Sequence, residues 1–419
     1  MTGLILGVFL ATAVIAVPIA HALLVAAMAA AATSERVPLD LLVQQIVAQV
    51  QSFPLIAIPF FMLTGSLMMG GKLGEALIGV LSSLIGRFHG GPGQVGVLSS
   101  TIFGGVSGSA VADASAIGSL LIPWQKRLGY PPAFSAATLA AAATIDILIP
   151  PSIPMILFAL SSNTSVAALF VAGILPGLLM CVGFMAVCWW VGRRRNFPRE
   201  TQRLDWTRFR TQLLYASPAL VLPVLIVVFL RFGVATPTEV AVLSTLYAGV
   251  VSAAVYRDLG LPRLHRCVVE AGLATGVVLL VIMSSAAIGW LLTFDRMPDG
   301  VVAWAQTHLS SGWSVILLMN LLMLVCGMFI DLPAAVLLLT PVFVPLANAI
   351  GMDLVQLGIM MTVNLAIGLY TPPVGTTLFI TSSLAKVKVG QTVRELGPFY
   401  LVAFGVLALV SYVPALIFK

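Results

Sequence analysis

The chain has 419 residues, of which 60% are hydrophobic and only 9% charged, against about 45–50% and 25% in soluble domains. A net charge of +6 spread thinly between apolar runs gives no nucleic-acid footprint. The composition also excludes a disordered chain, a coiled coil and a disulfide-stapled secreted domain. Leu213–Leu230 and Ala271–Phe294 hold no charged residue and match the roughly 18–20 residues that cross a bilayer. The class is an all-α polytopic membrane protein in a lipid bilayer.

In chain order, Gly3–Ala32 is long enough for one tilted helix or for two short ones around Pro18. It has no basic leader region or cleavage site, so it reads as a retained membrane helix. Gly74–Phe88 mixes polar and apolar residues and reads as a helix lying at the interface. Seven arginines between Arg193 and Arg210 face only Glu200 and Asp205, which puts that loop in the cytoplasm. Leu213–Leu230 leaves it, turns at Arg231–Ala235 and returns through Thr238–Val255 to a second basic loop with Arg257, Arg263 and Arg266. Val268–Thr293 then crosses outward, and Asp295–Leu309, carrying Trp304, reads as a second interfacial helix. Thr236-Pro237-Thr238-Glu239 fits a capping box, which gives Glu239 a sufficient structural role. Cys181, Cys188, Cys267 and Cys326 lie in or beside apolar segments without CxxC spacing and read as buried packing residues.

Two segments 222 positions apart align without a gap. Gly105, Pro123, Gly129, Ile145, Pro150, Pro151, Pro176 and Gly183 face Gly327, Pro345, Gly351, Ile367, Pro372, Pro373, Pro398 and Gly405. Prolines and glycines mark backbone breaks rather than bulk hydrophobicity, so their match carries weight. Basic residues flank opposite ends of the two copies: Lys126 and Arg127 precede Gly129, whereas Lys386 and Lys388 follow the second Pro-Pro. The first copy ends in Arg193–Arg195, the second only in Lys419. Ser162 and Gly351 are thus expected on the periplasmic face, Arg195 and Lys388 on the cytoplasmic one. Inverted repeats of this kind are common in secondary transporters.

Each copy contains two breaks. Gly104–Ser109 and Gly327–Pro333 read as tips of re-entrant hairpins. Ile149-Pro150-Pro151-Ser152 and Tyr370-Thr371-Pro372-Pro373 must each unwind a helix, because proline lacks the N–H donor and clashes with the preceding turn. Unwound backbone is tolerated in a membrane only where protein buries it or a polar cavity meets it. Its freed carbonyls suit a small cation. A glycine-packed kink, with Gly104 and Gly108 in GxxxG spacing, would explain one break, but two matched sets favour the transporter reading. Asp146 is the only charged residue from Leu128 to Gly192, Asp113 follows the first tip, and Asp331 lies on the second. Intramembrane acids face a pathway or a partner; for Asp113 and Asp146, hydrogen bonding to the hairpin backbone is an equal alternative to ion ligation.

These residues resemble one family. Phe60-Phe61-Met62-Leu63-Thr64-Gly65, Ser107-Gly108-Ser109-Ala110-Val111-Ala112-Asp113, Leu148-Ile149-Pro150-Pro151-Ser152-Ile153-Pro154, Ala172-Gly173-Ile174-Leu175-Pro176-Gly177, Thr236-Pro237-Thr238-Glu239 and Ile367-Gly368-Leu369-Tyr370-Thr371-Pro372-Pro373-Val374-Gly375 together look like the large membrane subunit of a tripartite ATP-independent periplasmic (TRAP) transporter. The likeness covers nearly the whole chain. One departure is Asp146, where the family pattern usually has glycine.

The resemblance implies an elevator-type, sodium-driven importer of organic acids, C4-dicarboxylate-like or other carboxylates, in the bacterial inner membrane. Its partners would be a periplasmic substrate-binding protein and a separate small four-helix membrane subunit, with sodium as coupling ion and no cofactor. Residues 1–88 and 193–311 would form the scaffold with its interfacial arms, and 89–192 and 312–419 the two transport-domain repeats. The family's cation sites carry over to Ser107, Gly108, Ser109, Pro150 and Ser152, and to Gly327, Asp331, Gly368, Thr371 and Gly375. Asp113, Asp146, Thr376 and Thr377 are candidates for the substrate pathway. A stand-alone sodium- or proton-coupled carboxylate symporter is the alternative. An enzyme is disfavoured: no HExxH or GxSxG occurs, and His21, His89, His265 and His308 lie near segment ends, far from the serine-rich tips.

Overall fold

The computed structural model describes residues 1–15, 17–34, 37–69, 72–199, 206–309 and 311–414. Glu200, Arg203, Asp205 and Lys419 of the charge argument lie outside them. Every regular element among the described residues is helical.

The chain opens with α1 (Thr2–Val14) and α2 (Ile19–Ala32), so Gly3–Ala32 makes two helices. The second starts from Pro18, extended at φ −54° and ψ 137°, since proline does not continue a helix through its own position. Next, α3 (Leu39–Val50) bends by 55° into the stretch Phe53–Met68, most of which is α4 (Ala57–Met69). The expected interfacial segment is α5 (Lys72–Ile85).

Then come α6 (Gly91–Ser107), α7 (Ala110–Arg127), α8 (Pro132–Ala142) with a 3₁₀ turn at Ala143–Ile145, α9 (Ile153–Ser162) and α10 (Val166–Arg194). The middle holds α11 (Trp206–Arg231), bent by 46° after Pro218, α12 (Pro237–Val250) with a π turn at Val251–Val255, α13 (Leu261–Phe294) and α14 (Met297–His308). Last come α15 (Gly312–Phe329), α16 (Leu332–Ala349), α17 (Leu354–Gly368), α18 (Thr376–Ala385) and α19 (Val389–Tyr412). Among the described residues six helices are long and apolar enough to cross a membrane, or up to eight if each bent pair is one span.

Two expectations need correcting. Helix α13 starts at Leu261, not Val268, so Arg263 and Arg266 are helical. Gly260 and Pro262 form its start, a polar-side signal that hydropathy alone overlooks. Gly104 and Gly105 do not interrupt α6, which runs on to Ser107. They are close-approach glycines: a Cβ on Gly104 would lie 2.6 Å from the Asp146 Cα, and one on Gly105 2.6 Å from the Pro223 Cβ. The capping box at the start of α12 is present, with Thr236 N donating to Glu239 Oε2 at 2.7 Å and Glu239 N donating to Thr236 Oγ1 at 3.4 Å.

Helix boundaries recur 222 positions apart, as the gap-free alignment of the sequence anticipates. Helix α6 ends at Ser107 and α15 at Phe329; α7 spans Ala110–Arg127 and α16 Leu332–Ala349; α8 starts at Pro132 and α17 at Leu354. The bonds Pro150-Pro151 and Pro372-Pro373 are both cis, and Gly129 and Gly351 both take positive φ, +82° and +68°.

The two halves interlock, with α9 on α16, α8 on α18 and α19, and α10 on α19. Phe399 stacks its edge on Phe184 at 5.4 Å and meets Phe134 at 5.8 Å, contacts worth about 0.5–1.5 kcal/mol each beyond burial. Polar ties cross the same seam: Thr377 Oγ1 donates to Ala140 O at 3.1 Å, Lys126 Nζ to Ala385 O at 3.1 Å and Arg195 Nη1 to Glu395 Oε2 at 2.8 Å. Elsewhere α13 contacts α2, α3 and α4, and α4 in turn holds α12, where the Thr64 and Thr245 hydroxyls meet at 2.9 Å; α11 packs on α5 and α6.

Candidate functional site

At the first tip the backbone leaves α6 at Ser107, turns through Gly108 at φ +63° and enters α7 behind Ser109. The Ser109 hydroxyl caps that helix, accepting from Ala112 N at 3.5 Å. Fully buried Asp146, just after the 3₁₀ turn, takes three donors from the tip. Its Oδ2 accepts from Ser107 Oγ at 2.9 Å and Ser109 N at 3.0 Å, and its Oδ1 from Gly108 N at 3.1 Å. A carboxylate facing the free N–H groups at a helix start is electrostatically favoured there. Hydrogen bonding to the hairpin is therefore what the geometry of Asp146 displays.

The break lies directly behind the tip. A Cβ on Gly108 would fall 2.6 Å from Pro151 O, so that carbonyl faces the tip backbone. Ser152 caps α9, accepting from Met155 N at 3.4 Å and donating to Ile147 O at 2.6 Å. One turn into α7, Asp113 is fully buried beside Ser100, and neither of its carboxylate oxygens makes a hydrogen bond of ordinary geometry among the described residues.

At the second tip α15 ends at Phe329 and Asp331 opens α16 without a side-chain capping bond. Gly327 and Gly368 press backbone on backbone: a Cβ on Gly368 would lie 2.5 Å from the Gly327 carbonyl. Thr371 Oγ1 donates to Ile367 O at 2.6 Å, and Gly375 turns at φ +50° with the Thr371 carbonyl 2.9 Å from where its Cβ would be. Thr377 is buried, its hydroxyl donating to Leu369 O at 2.9 Å as well as to Ala140 O. At the 222-residue offset Asp146 corresponds to Gly368 and Ser109 to Asp331. The carboxyl group that meets the tip comes from the break in the first junction, with Asp113 one turn into α7, and from the tip itself in the second.

A cavity of about 640 Å³ joins the two tips, lined by Gly108, Ser109, Asp331, Leu369 and Thr376 against Met62 and Val278. The Thr376 hydroxyl is buried with no hydrogen bond among the described residues. Of the sequence candidates, Gly108, Ser109, Asp331 and Thr376 meet at this cavity. Pro150, Ser152, Gly327, Gly368, Thr371 and Gly375 form the backbone behind it, and Asp113, Asp146 and Thr377 are sealed in the protein and line neither cavity. An adjoining cavity of about 710 Å³ shares Met62, Ser109 and Ala274, and runs between the serine face of α7 and Arg263, Arg266 and Glu270 of α13. Both volumes suit a small organic molecule. Sequence reading missed this second wall; its signal was Ser109, Ala112, Ser115, Ala116 and Ser119 at helical spacing.

Comparison with known proteins agrees with this architecture. The family described as Tripartite ATP-independent periplasmic transporter, DctM component, matches residues 6–416. The chain is 56% identical over 416 residues to the uncharacterized protein y4mL of Sinorhizobium fredii, covering 99% of both chains. It is 36% identical over 415 residues to the 2,3-diketo-L-gulonate TRAP transporter large permease protein YiaN of Escherichia coli, covering 98% of this chain and 97% of that one. The crystal structure of the YdaH transporter of Alcanivorax borkumensis is similar in fold, with a TM-score of 0.65 at 15% identity over 90% of this chain and 89% of that one.

Proposed function

The chain belongs to the DctM component family of tripartite ATP-independent periplasmic transporters, and on that premise we propose that it is the sodium-driven, elevator-type permease of an organic-acid importer in the bacterial inner membrane. It is a transporter permease and not an enzyme. Binding-protein-dependent secondary transport of organic acids is the activity that membership carries, together with a small membrane subunit and a periplasmic binding protein. In this reading the small subunit is a separate four-helix chain. The observation that carries the proposal is the full-length family match combined with two tip-and-break junctions meeting at one cavity.

Residues 89–192 and 312–419 would move as one transport domain, and 1–88 and 193–311 would form the scaffold. The interlocking of α8 with α18 and α19 supports the first body, and the packing of α2, α3, α4 and α12 around α13, directly or through α4, supports the second. The boundaries that recur at 222 residues support two inverted repeats, with α6–α7 and α15–α16 as re-entrant hairpins. Sodium would bind at the first junction through Ser107, Gly108, Ser109, Pro150 and Ser152, and at the second through Gly327, Asp331, Gly368, Thr371 and Gly375. The Pro151 and Thr371 carbonyls that face the tight glycines 108 and 375 are hard oxygen donors of the kind a small cation takes. An acid such as the 2,3-diketo-L-gulonate named for the Escherichia coli relative is the class of cargo. The two cavities are where it would pass, with Thr376 beside it.

The test is reconstitution in liposomes with the cognate small subunit and binding protein, using the acid that stabilises the binding protein in a thermal-shift screen. Uptake is expected only with all three components and an inward sodium gradient. Robust uptake by this chain alone would overturn the tripartite reading in favour of a stand-alone symporter.

A further inference from the structure

The larger cavity has a chemical character that the two junctions lack. One wall is the face of α7 that runs from the first tip through Ser109, Ala112, Ser115, Ala116 and Ser119. Ser115 and Ser119 are exposed into it. Positions three and four apart share one side of a helix, so the Ser115 and Ser119 hydroxyls lie on the same face as Ser109, with Ala112 between.

The opposite wall is the first part of α13, with Arg263, Arg266 and Glu270. The two arginines are not equivalent. Arg263 is tied down: it pairs with Asp258, and its Nη2 donates to Leu67 O at 2.7 Å. Arg266 makes no hydrogen bond or ion pair among the described residues and is exposed. Glu270, one turn further on, also lines the cavity, but no ion pair joins it to Arg266 among the described residues.

We propose that Arg266 is the docking point for the carboxylate of the transported acid at the cytoplasmic mouth of this cavity. The inference rests on the transport function proposed above and names a subsite of it. A guanidinium offers a planar fork that takes a carboxylate in two parallel bonds. In a cavity with low-dielectric walls it raises the local concentration of anions. The hydroxyls of Ser115 and Ser119 then lead the acid to Ser109, which the two cavities share.

The test uses the three-component complex in liposomes, with Ser115→Cys as reporter in a Cys267→Ala background. The probes are the anionic 2-sulfonatoethyl and the cationic 2-trimethylammonioethyl methanethiosulfonates. Arg266→Gln is expected to lower the anion-to-cation ratio of labelling rates about fivefold, the scale of one nearby charge in a partly shielded site, and Arg266→Lys to restore it. An unchanged ratio overturns the proposal and leaves the transport reading intact, since sodium-driven uptake by the unmodified complex is measured separately.

The second readout is counterflow from preloaded liposomes, with the acid identified through the binding protein. Arg266→Gln is expected to raise the internal concentration for half-maximal exchange about tenfold with little change in the external one. A carboxylate could also come from an anionic lipid headgroup, or a phosphate stand in for it. An Arg266→Gln effect that disappears in purely zwitterionic liposomes would assign the arginine to lipid and overturn the proposal.

Discussion

Asp146 and Gly368 occupy matching positions 222 residues apart, yet they close their junctions by opposite means. Asp146 reaches into the first tip and satisfies Ser107 Oγ, Gly108 N and Ser109 N with one carboxylate. Gly368 has no side chain, and its backbone lies against that of Gly327. The first junction is therefore held by hydrogen bonds to a side-chain carboxyl group, and the second by backbone contact.

This difference predicts how the first junction fails. Asp146→Ala leaves the buried Gly108 N–H and Ser107 hydroxyl without their acceptor, at about 1–3 kcal/mol for each unsatisfied group, and Ser109 N with only its longer bond to Ser107 Oγ at 3.3 Å. Asp146→Asn keeps one acceptor oxygen but turns an N–H₂ toward a donor. Both variants are expected to lower the thermal unfolding midpoint of the purified protein and to slow uptake, alanine more than asparagine. An unchanged midpoint in both would show that these three hydrogen bonds do not hold the tip.

The second junction should fail by sterics instead. A Cβ at 368 would sit 2.5 Å from the Gly327 carbonyl, and backbone cannot yield as a flexible side chain does. Gly368→Ala should push tip and break apart and abolish sodium-stimulated uptake. At Gly390, where a Cβ would meet nothing within 4 Å, Gly390→Ala should be silent. Equal uptake by the two variants would sink the backbone-contact account.

The proposed inverted repeat makes a prediction about sidedness, for which some positions are better placed than others. Ser162 is buried, its hydroxyl donating to Phe158 O at 2.7 Å, and Arg195 is paired with Glu395. Exposed Asn163 and Arg194 are better reporters beside them. Cysteines at 163 and 351 should label from the periplasm, and those at 194 and 388 only from the cytoplasm. Labelling of 163 and 388 from one side would break the inverted-repeat reading.

What the sequence disclosed, and what it hid, follows from the kind of signal each residue leaves. Pro150-Pro151 and Pro372-Pro373 announce their breaks because proline cannot donate and its ring clashes in a helix. The capping box at Thr236–Glu239 was equally legible, since its bonds are local in the chain. Gly104 misled, because glycine in a membrane helix serves close packing as readily as a turn, and only the fold reveals that Asp146 approaches it. The partners of Asp146 and the place of Arg266 were out of reach for a similar reason. Both depend on which elements meet in space, and hydropathy started α13 at its first long apolar run, whereas the helix starts at Gly260 and Pro262.

The remaining prediction concerns sodium itself. Asp331 opens α16 without a side-chain capping bond and faces the cavity shared by both tips, so its carboxylate is available to a cation. Thr371 lies on the facing break, its hydroxyl already donating to Ile367 O, which leaves its oxygen lone pairs to accept. Removing one oxygen ligand from a buried site should cost about 1–3 kcal/mol, or roughly 5–150-fold in apparent sodium affinity. Asp331→Asn and Thr371→Val are expected to raise the sodium concentration for half-maximal uptake by that factor while leaving membrane insertion and the thermal midpoint nearly unchanged. Glu239→Gln is the comparison: its carboxylate accepts from Thr236 N and Thr236 Oγ1, both at 2.7 Å, so its loss should weaken assembly without moving the sodium dependence. Uptake that is indifferent to sodium and driven by a proton gradient, and that Asp146→Asn abolishes, would transfer the coupling role to the first junction.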